Sequence, residues 1–335
     1  MHIFIDETGP FGIGAFPAPS LVGALIVPNV NLPALERVYG KIRRHLPKEN
    51  GQVKGKTLDE RQVARVVSVL LEHGAIFEAI LIDLGTHTEE GLKQFQAAQA
   101  EKFTASLTDK HKESLVAQVT KARAEFEAFK LPAVVQAILT FELVWSVLEW
   151  GTMYLSTRLP KELESFHWVV DAKGDGDEPT DWEKWWSSVI LPILQTKSFT
   201  DPMKQLDVGD YSHMARFDAQ PDDFLRDQEG WQEGAPPLDV GKLLEGSLKF
   251  SPASSKGLEL VDIVTNATSR ALKGNLQQNG WNRIPELMLA KGRQYISLVN
   301  FQDDPVPGRQ YPYQPILEAF GKGGRVMVPA HLREH

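Results

Sequence analysis

Two acidic residues close the first apolar run of the chain: MHIFI passes into Asp6 and Glu7 and then at once into the glycine-rich TGPFGIGAF. A carboxylate where a strand ends can be turn chemistry, or it can belong to a site for a hard divalent cation, which takes oxygen ligands. Two further aspartates occupy comparable places. Asp171 ends the apolar run FHWVVD (166–171), and Asp262 lies within KGLELVDIVTNATSRAL, whose spacing predicts a helix. If the runs 2–7 and 166–171 are parallel neighbours in one sheet, their carboxyl ends share an edge, and open α/β sheets bind ligands at such edges. Carboxylates gathered there repel one another unless a cation lies between them. Mg2+ or Mn2+ would meet that need while keeping water for a substrate phosphate.

Strand alternation chooses between the opening pair. Asp6 shares a face with Phe4, while Glu7 points the other way with Ile3 and Ile5, so Asp6 is the expected ligand and Glu7 the second candidate. Each acid has an ordinary alternative. Asp6 and Asp171 could simply form turns, and Asp262 shares a helical stripe with Asn266 and Ser269 that could face solvent. Asp83, Asp175 and Asp177 are expected to be exposed loop residues.

The elements that must position these acids follow from periodicity and turn residues. Residues 2–7 and SLVGALIVP form an antiparallel hairpin with a long Gly/Pro loop. ALERVYGKIRRHL is a helix, a second helix runs from Asp59 to about His73, and FEAILID (77–83) is a third strand. From about Glu89 to Arg158 the pattern is helical throughout. FHWVVD, apolar on both faces, suits a central strand covered on each side. DWEKWWSSVILPIL is a core-packing helix, residues 200 to 245 an acidic, Pro/Gly-rich excursion, and EGSLKF a short strand. SPASS offers hydroxyls to cap the helix that bears Asp262. The tail carries one strand-like piece, YISLVNF. This order predicts an α/β fold, a mixed sheet flanked by helices, with a helical insertion at about 86–160, a core ending near 275, and an appended C-terminal extension over 276–335.

Composition narrows the function. With 335 residues, 42% of them hydrophobic and 24% charged, the chain has the make-up of a globular protein with a sizeable core. A formal net charge of -8 argues against a broadly cationic nucleic-acid binder, but not against a local basic patch or bridging metal ions. The absence of cysteine removes disulfides, thiolate nucleophiles and cysteine-ligated metals. The strand at residue 2 leaves no room for a signal peptide, so the expected location is cytoplasmic. LPAVVQAILTFELVWSVLEWGTMYL (131–155) is apolar enough to raise a membrane span, but Glu142 and Glu149 fall on roughly one helical face within it, and a buried helix is expected instead.

FIDETGPFG resembles the opening Ile-Asp-Glu-Ser-Gly-x-Phe-Gly of domain-of-unknown-function family 3800, with Thr8 in the serine position. SPASSKGLELVDIV is similar to that family's closing signature, a serine-rich turn followed by Leu-Gln-x-Ala-Asp-x-(Ile/Val), with Glu259 and Val261 as departures. WVVDAKG resembles its internal strand ending in Asp and a basic residue, which marks Asp171 and Lys173. QVKGKTL resembles its Lys-Gly-Ser-x-Leu stretch, which marks Lys54. The four matches run in family order over roughly residues 2–274. The resemblance implies a ribonuclease-H-like fold and a metal-dependent nuclease, with Asp6, Asp171 and Asp262 holding Mg2+ or Mn2+, DNA or RNA as partner, and Lys54 or Lys173 against a phosphate oxygen. It also implies a helix-borne glutamate completing the carboxylate set, for which Glu142 is the positional candidate. KIRRHLPK could track a nucleic-acid backbone, or be a solvated helix end. Two other readings stay open: an actin-like nucleotide hydrolase, suggested by the glycines at 9, 12 and 14, and a noncatalytic scaffold on the same fold.

Overall fold

Alternating apolar residues in the first three strands commit each face of one sheet to a separate layer of helices. In the computed structural model, which describes residues 1–105, 107, 113–172, 180–219, 236–244, 247–251, 255–292, 294–304, 306 and 308–333, β1 (His2–Thr8) pairs antiparallel with β2 (Pro19–Val27), and β2 antiparallel with β3 (Ile76–Asp83). On its other side β1 runs parallel to β4 (His167–Asp171), and β4 parallel to β5 (Leu248–Ser251). A short β6 (Ser297–Val299) lies parallel to β3, giving the order β5-β4-β1-β2-β3-β6. This mixed sheet flanked by helices is consistent with a ribonuclease-H-like α/β fold.

Ile3, Ile5, Val22, Ala24 and Ile26 face the layer built around the helical insertion, where α5 (Leu131–Ser146) packs. Phe4, Leu21, Leu25 and Phe77 face the opposite layer, formed by α1 (Leu32–Arg43), α2 (Glu60–Glu72) and the helix Lys256–Leu272. Gly23 lets that last helix lie against β2, since a Cβ there would meet the Phe77 ring at 2.9 Å and crowd Thr265. The helix begins where the Ser255 hydroxyl accepts the Leu258 N–H at 3.1 Å, so one of the expected capping hydroxyls serves that purpose.

The insertion is helical, as expected: α3 (Glu89–Thr104), α4 (Glu113–Ala128) and α5, which continues through a π-type turn (Val147–Gly151) into Thr152–Ser156. Among the described residues Leu131–Ser156 is the one helix long and apolar enough to cross a membrane, and 56% of its most apolar window is buried inside the molecule.

Two expectations change. The strand-like piece of the tail is not an outlying appendage: part of it, β6, extends the sheet beyond β3. Asp83 is not an exposed loop residue but fully buried at the end of β3. Its Oδ1 accepts the N–H groups of Ala18 (2.8 Å) and Gly85 (2.9 Å), and its Oδ2 accepts the Tyr313 hydroxyl at 2.8 Å. The C-terminal segment covers this strand end, and the carboxylate exchanges water for three protein donors. Asp175 and Asp177 lie outside the described residues.

Candidate active site

Register brings the first two acids together. The β1–β4 ladder pairs Ile5 with Val170, and one residue further along parallel strands Asp6 meets Asp171. Both side chains take the Phe4 side of the sheet, because Phe4 and its partner Val169 pack against the layer that contains the Lys256–Leu272 helix. Asp262 comes down from that helix onto the same spot. Asp6, Asp171 and Asp262, with Gln52, Val53, Lys54, Leu258 and Glu259, line a cavity of about 20 Å³, room for one water-sized occupant.

Glu7 pairs across the sheet with Val22, which belongs to the opposite layer, so its side chain leaves the cavity face. Its backbone N–H nevertheless serves the site, donating to Asp6 Oδ1 at 2.8 Å. Asp6 is 7% exposed.

The loop that carries Lys54 is fastened to the Lys256–Leu272 helix along one stripe. Glu259 Oε1 accepts the Val53 N–H at 3.1 Å, Asp262 Oδ2 accepts the Gly55 N–H at 2.7 Å, and the Arg270 guanidinium donates to the carbonyls of Gly55 (3.1 Å) and Leu58 (2.7 Å). Asn266 Nδ2 donates to Asp262 Oδ1 at 2.8 Å. The stripe of Asp262 and Asn266 therefore faces the loop. Gly55 makes this docking possible: a Cβ there would stand 2.8 Å from Asn266 Cβ, the Asp262 carbonyl and Ile263 Cα.

Electrostatics set the character of the cavity. Burial pushes the Asp171 carboxyl above its ordinary range; the nearby Lys54 ammonium acts in the opposite sense, and the negative charges of Asp262 and Glu183 push it further up. Glu259 behaves differently. Burial alone would raise it, but hydrogen bonds from Arg43, the Val53 N–H and Tyr39 outweigh burial and hold it below the usual carboxylate range. The contacts are Arg43 Nε and Nη2 at 2.6 Å each and Tyr39 Oη at 2.9 Å. Glu259, where the resemblance has glutamine, is thus an ionised anchor between α1, the Lys54 loop and the site helix. The sequence flagged it only as a departure. Its signal was an acid in the first turn of an otherwise apolar helix face.

Glu142 does not join this set. It sits on α5, and α5 packs on the other face of the sheet, so β1 and β4 separate it from the three aspartates. A strand pattern tells which residues share a face but not which face a following helix will cover. Lys173 lies outside the described residues. None of Gly9, Gly12 and Gly14 lines the aspartate cavity.

The donors suit a hard cation, since all three are carboxylates, and Asp6 and Asp262 are oriented by N–H donors. As they stand, no three His, Asp or Glu side chains among the described residues are grouped closely enough to hold one ion. What the structure presents is a shared cavity of like charges, with Lys54 as the cation beside it. No family model, curated protein or solved structure matches the chain.

Proposed function

We propose that the aspartate cavity binds Mg2+ or Mn2+ and that the protein hydrolyses phosphodiester bonds of a nucleic acid, DNA or RNA. The observation that carries this reading is the meeting of Asp6, Asp171 and Asp262, from three distant parts of the chain, in one small cavity at the carboxyl edge of β1 and β4. Like charges that share one small cavity disfavour the empty state. Burial first, and then the charges of Asp262 and Glu183, raise the Asp171 pKa against the opposing Lys54.

Asp6 and Asp171, adjacent on the sheet, supply the inner pair of acceptors, and Asp262 supplies the third. A bound divalent ion would contribute Lewis-acid neutralisation of a phosphoryl oxygen and a readily deprotonated water. Lys54 lines the cavity on a loop held by the Gly55–Asp262 and Val53–Glu259 hydrogen bonds, and in this reading it would neutralise a nonbridging oxygen. The four sequence resemblances support the same class of chemistry.

A noncatalytic binding protein on this fold is the second reading. It is favoured by one observation: the carboxylates are not grouped at coordinating spacing as they stand. Incubation of the protein with single- and double-stranded DNA and RNA in Mg2+ or Mn2+ separates the two. The nuclease reading expects cleavage that chelator abolishes and that Asp6→Asn removes. Equal cleavage by wild type and Asp6→Asn, or none on any substrate with either metal, would refute it.

A further inference from the structure

The opposite face of the sheet holds a larger cavity, of about 350 Å³, between α3, α5 and the segment that follows β6. Its volume lies at the lower end of the range typical of small-molecule sites, roughly 300–1,000 Å³. Three phenylalanines, Phe95, Phe141 and Phe301, form its walls, and Phe95 and Phe301 are stacked with centroids 4.2 Å apart. One acid, Glu142, opens into it.

Glu142 contrasts with the acids of this molecule that are almost completely buried. Other well-buried acids are satisfied: Asp83 by three donors, Glu259 by Arg43 and Tyr39, Glu78 by Lys291 and Ser146, and Glu162 by the Met1 ammonium and the N–H groups of Asn29 and Val30. Glu142 is half-buried, yet no hydrogen bond or ion pair reaches it among the described residues. Burial pushes its carboxyl upward, and among the described residues the cation acting against that shift is Lys197. That ammonium is engaged elsewhere, bonded to Asp201 at 3.0 Å and lying over the Trp145 ring. Lys102 also lines the cavity, but its side chain is exposed. A carboxylate without a partner among aromatic faces is the combination that recognises an organic cation, by charge on one side and ring quadrupoles on the other.

We propose that this cavity is a binding site for a small organic cation with an apolar body, of the arylalkylamine class, whose ammonium pairs with Glu142 while its ring inserts between Phe141 and the Phe95–Phe301 stack. The site shares no residue with the aspartate cavity, so it stands or falls independently of the nuclease reading.

Calorimetric titration with phenethylamine at neutral pH tests it, with 3-phenylpropionate as a probe of matching size and opposite charge. The expected result is saturable binding of the amine at least about tenfold tighter than that of the acid, with a similar loss of amine affinity in Glu142→Gln. Ile193→Trp, which fills the cavity from its wall, should abolish binding of both probes. Thermal unfolding checks that each variant is folded, and Glu142→Gln, which removes an unpaired charge, should melt no lower than wild type. No saturable heat with phenethylamine up to millimolar concentration would overturn the proposal, as would equal affinity for the two probes or unchanged amine affinity in folded Glu142→Gln.

Discussion

Glu259→Gln perturbs the joint on which the geometry of the aspartate cavity rests. The native side chain is 3% exposed and accepts hydrogen bonds from the Tyr39 hydroxyl, the Val53 N–H and, twice, the Arg43 guanidinium, whose own side chain is 29% exposed. Glutamine keeps the shape but turns one oxygen into a donor. In one orientation the new NH2 group faces Arg43 Nε and the Tyr39 hydroxyl; in the other it faces Arg43 Nη2 and the Val53 N–H. Either way one charge-assisted bond becomes a contact between donors. Such bonds contribute about 1.5–3 kcal/mol, and breaking a fully buried ion pair costs about 3–5 kcal/mol. Because Arg43 can recover some water and keeps its bond to the Gly51 carbonyl (2.7 Å), the expected loss is about 2–3 kcal/mol, between these limits.

Urea unfolding at pH 7 and again in acid measures this loss. The Glu259 pKa is depressed in the fold, so its contribution is present in full above the ordinary glutamate value of about 4.3 and fades as pH falls through the lowered folded value. The gap between wild type and variant should therefore close only in strong acid. Adding Arg43→Met to Glu259→Gln should restore part of the lost stability, since it removes the stranded cation. A loss at pH 7 below about 0.5 kcal/mol, the size expected of an ordinary surface substitution, would refute the reasoning, as would a gap that stays constant into acid.

Asp171→Asn should stabilise the metal-free protein at neutral pH. The wild-type carboxyl is raised in the fold, so its favourable contribution is complete below the unfolded carboxylate value and is lost as pH rises through the raised one; urea midpoints from pH 4 to 8 should show that decline in wild type and a flatter profile in the variant. Gly55→Ala should cost about 1–3 kcal/mol by forcing the Lys54 loop off the helix backbone, and should weaken metal binding although no ligand is changed; thermal melts and metal titration read the two effects. Lys291→Met should cost about 3–5 kcal/mol by leaving Glu78, 1% exposed, as a buried unpaired charge, and Glu78→Gln in the same chain should recover part of it in urea unfolding.

What the sequence disclosed about the site follows from where local rules reach. Period-two alternation fixed the side of β1 on which Asp6 lies and turned Glu7 away, because that rule acts between adjacent residues. Strand ends placed Asp6 and Asp171 at one edge once parallel pairing was assumed, and the register meets that assumption. Glu142 was misplaced for a physical reason: nothing in the apolar pattern of α5, buried along most of its length, tells which face of the sheet it covers. The tail strand was legible as a strand but not as a partner of β3, since parallel pairing with an edge more than 200 residues earlier leaves no local trace. Asp83 looked like a loop residue because its covering partner, Tyr313, is equally remote. Glu259 was visible only as an odd acid; that it binds α1 to the loop depends on Arg43 and Tyr39 meeting it in three dimensions.

Calorimetric titration of the purified protein with MnCl2, beside Asp6→Asn and Asp171→Asn, probes the cation site itself, whatever the substrate turns out to be. Saturable binding by wild type, lost in both variants while they remain folded, is the predicted result. Wild type that gives no saturable heat, or binding that survives both substitutions unchanged, would contradict the assignment of Asp6 and Asp171 as ligands.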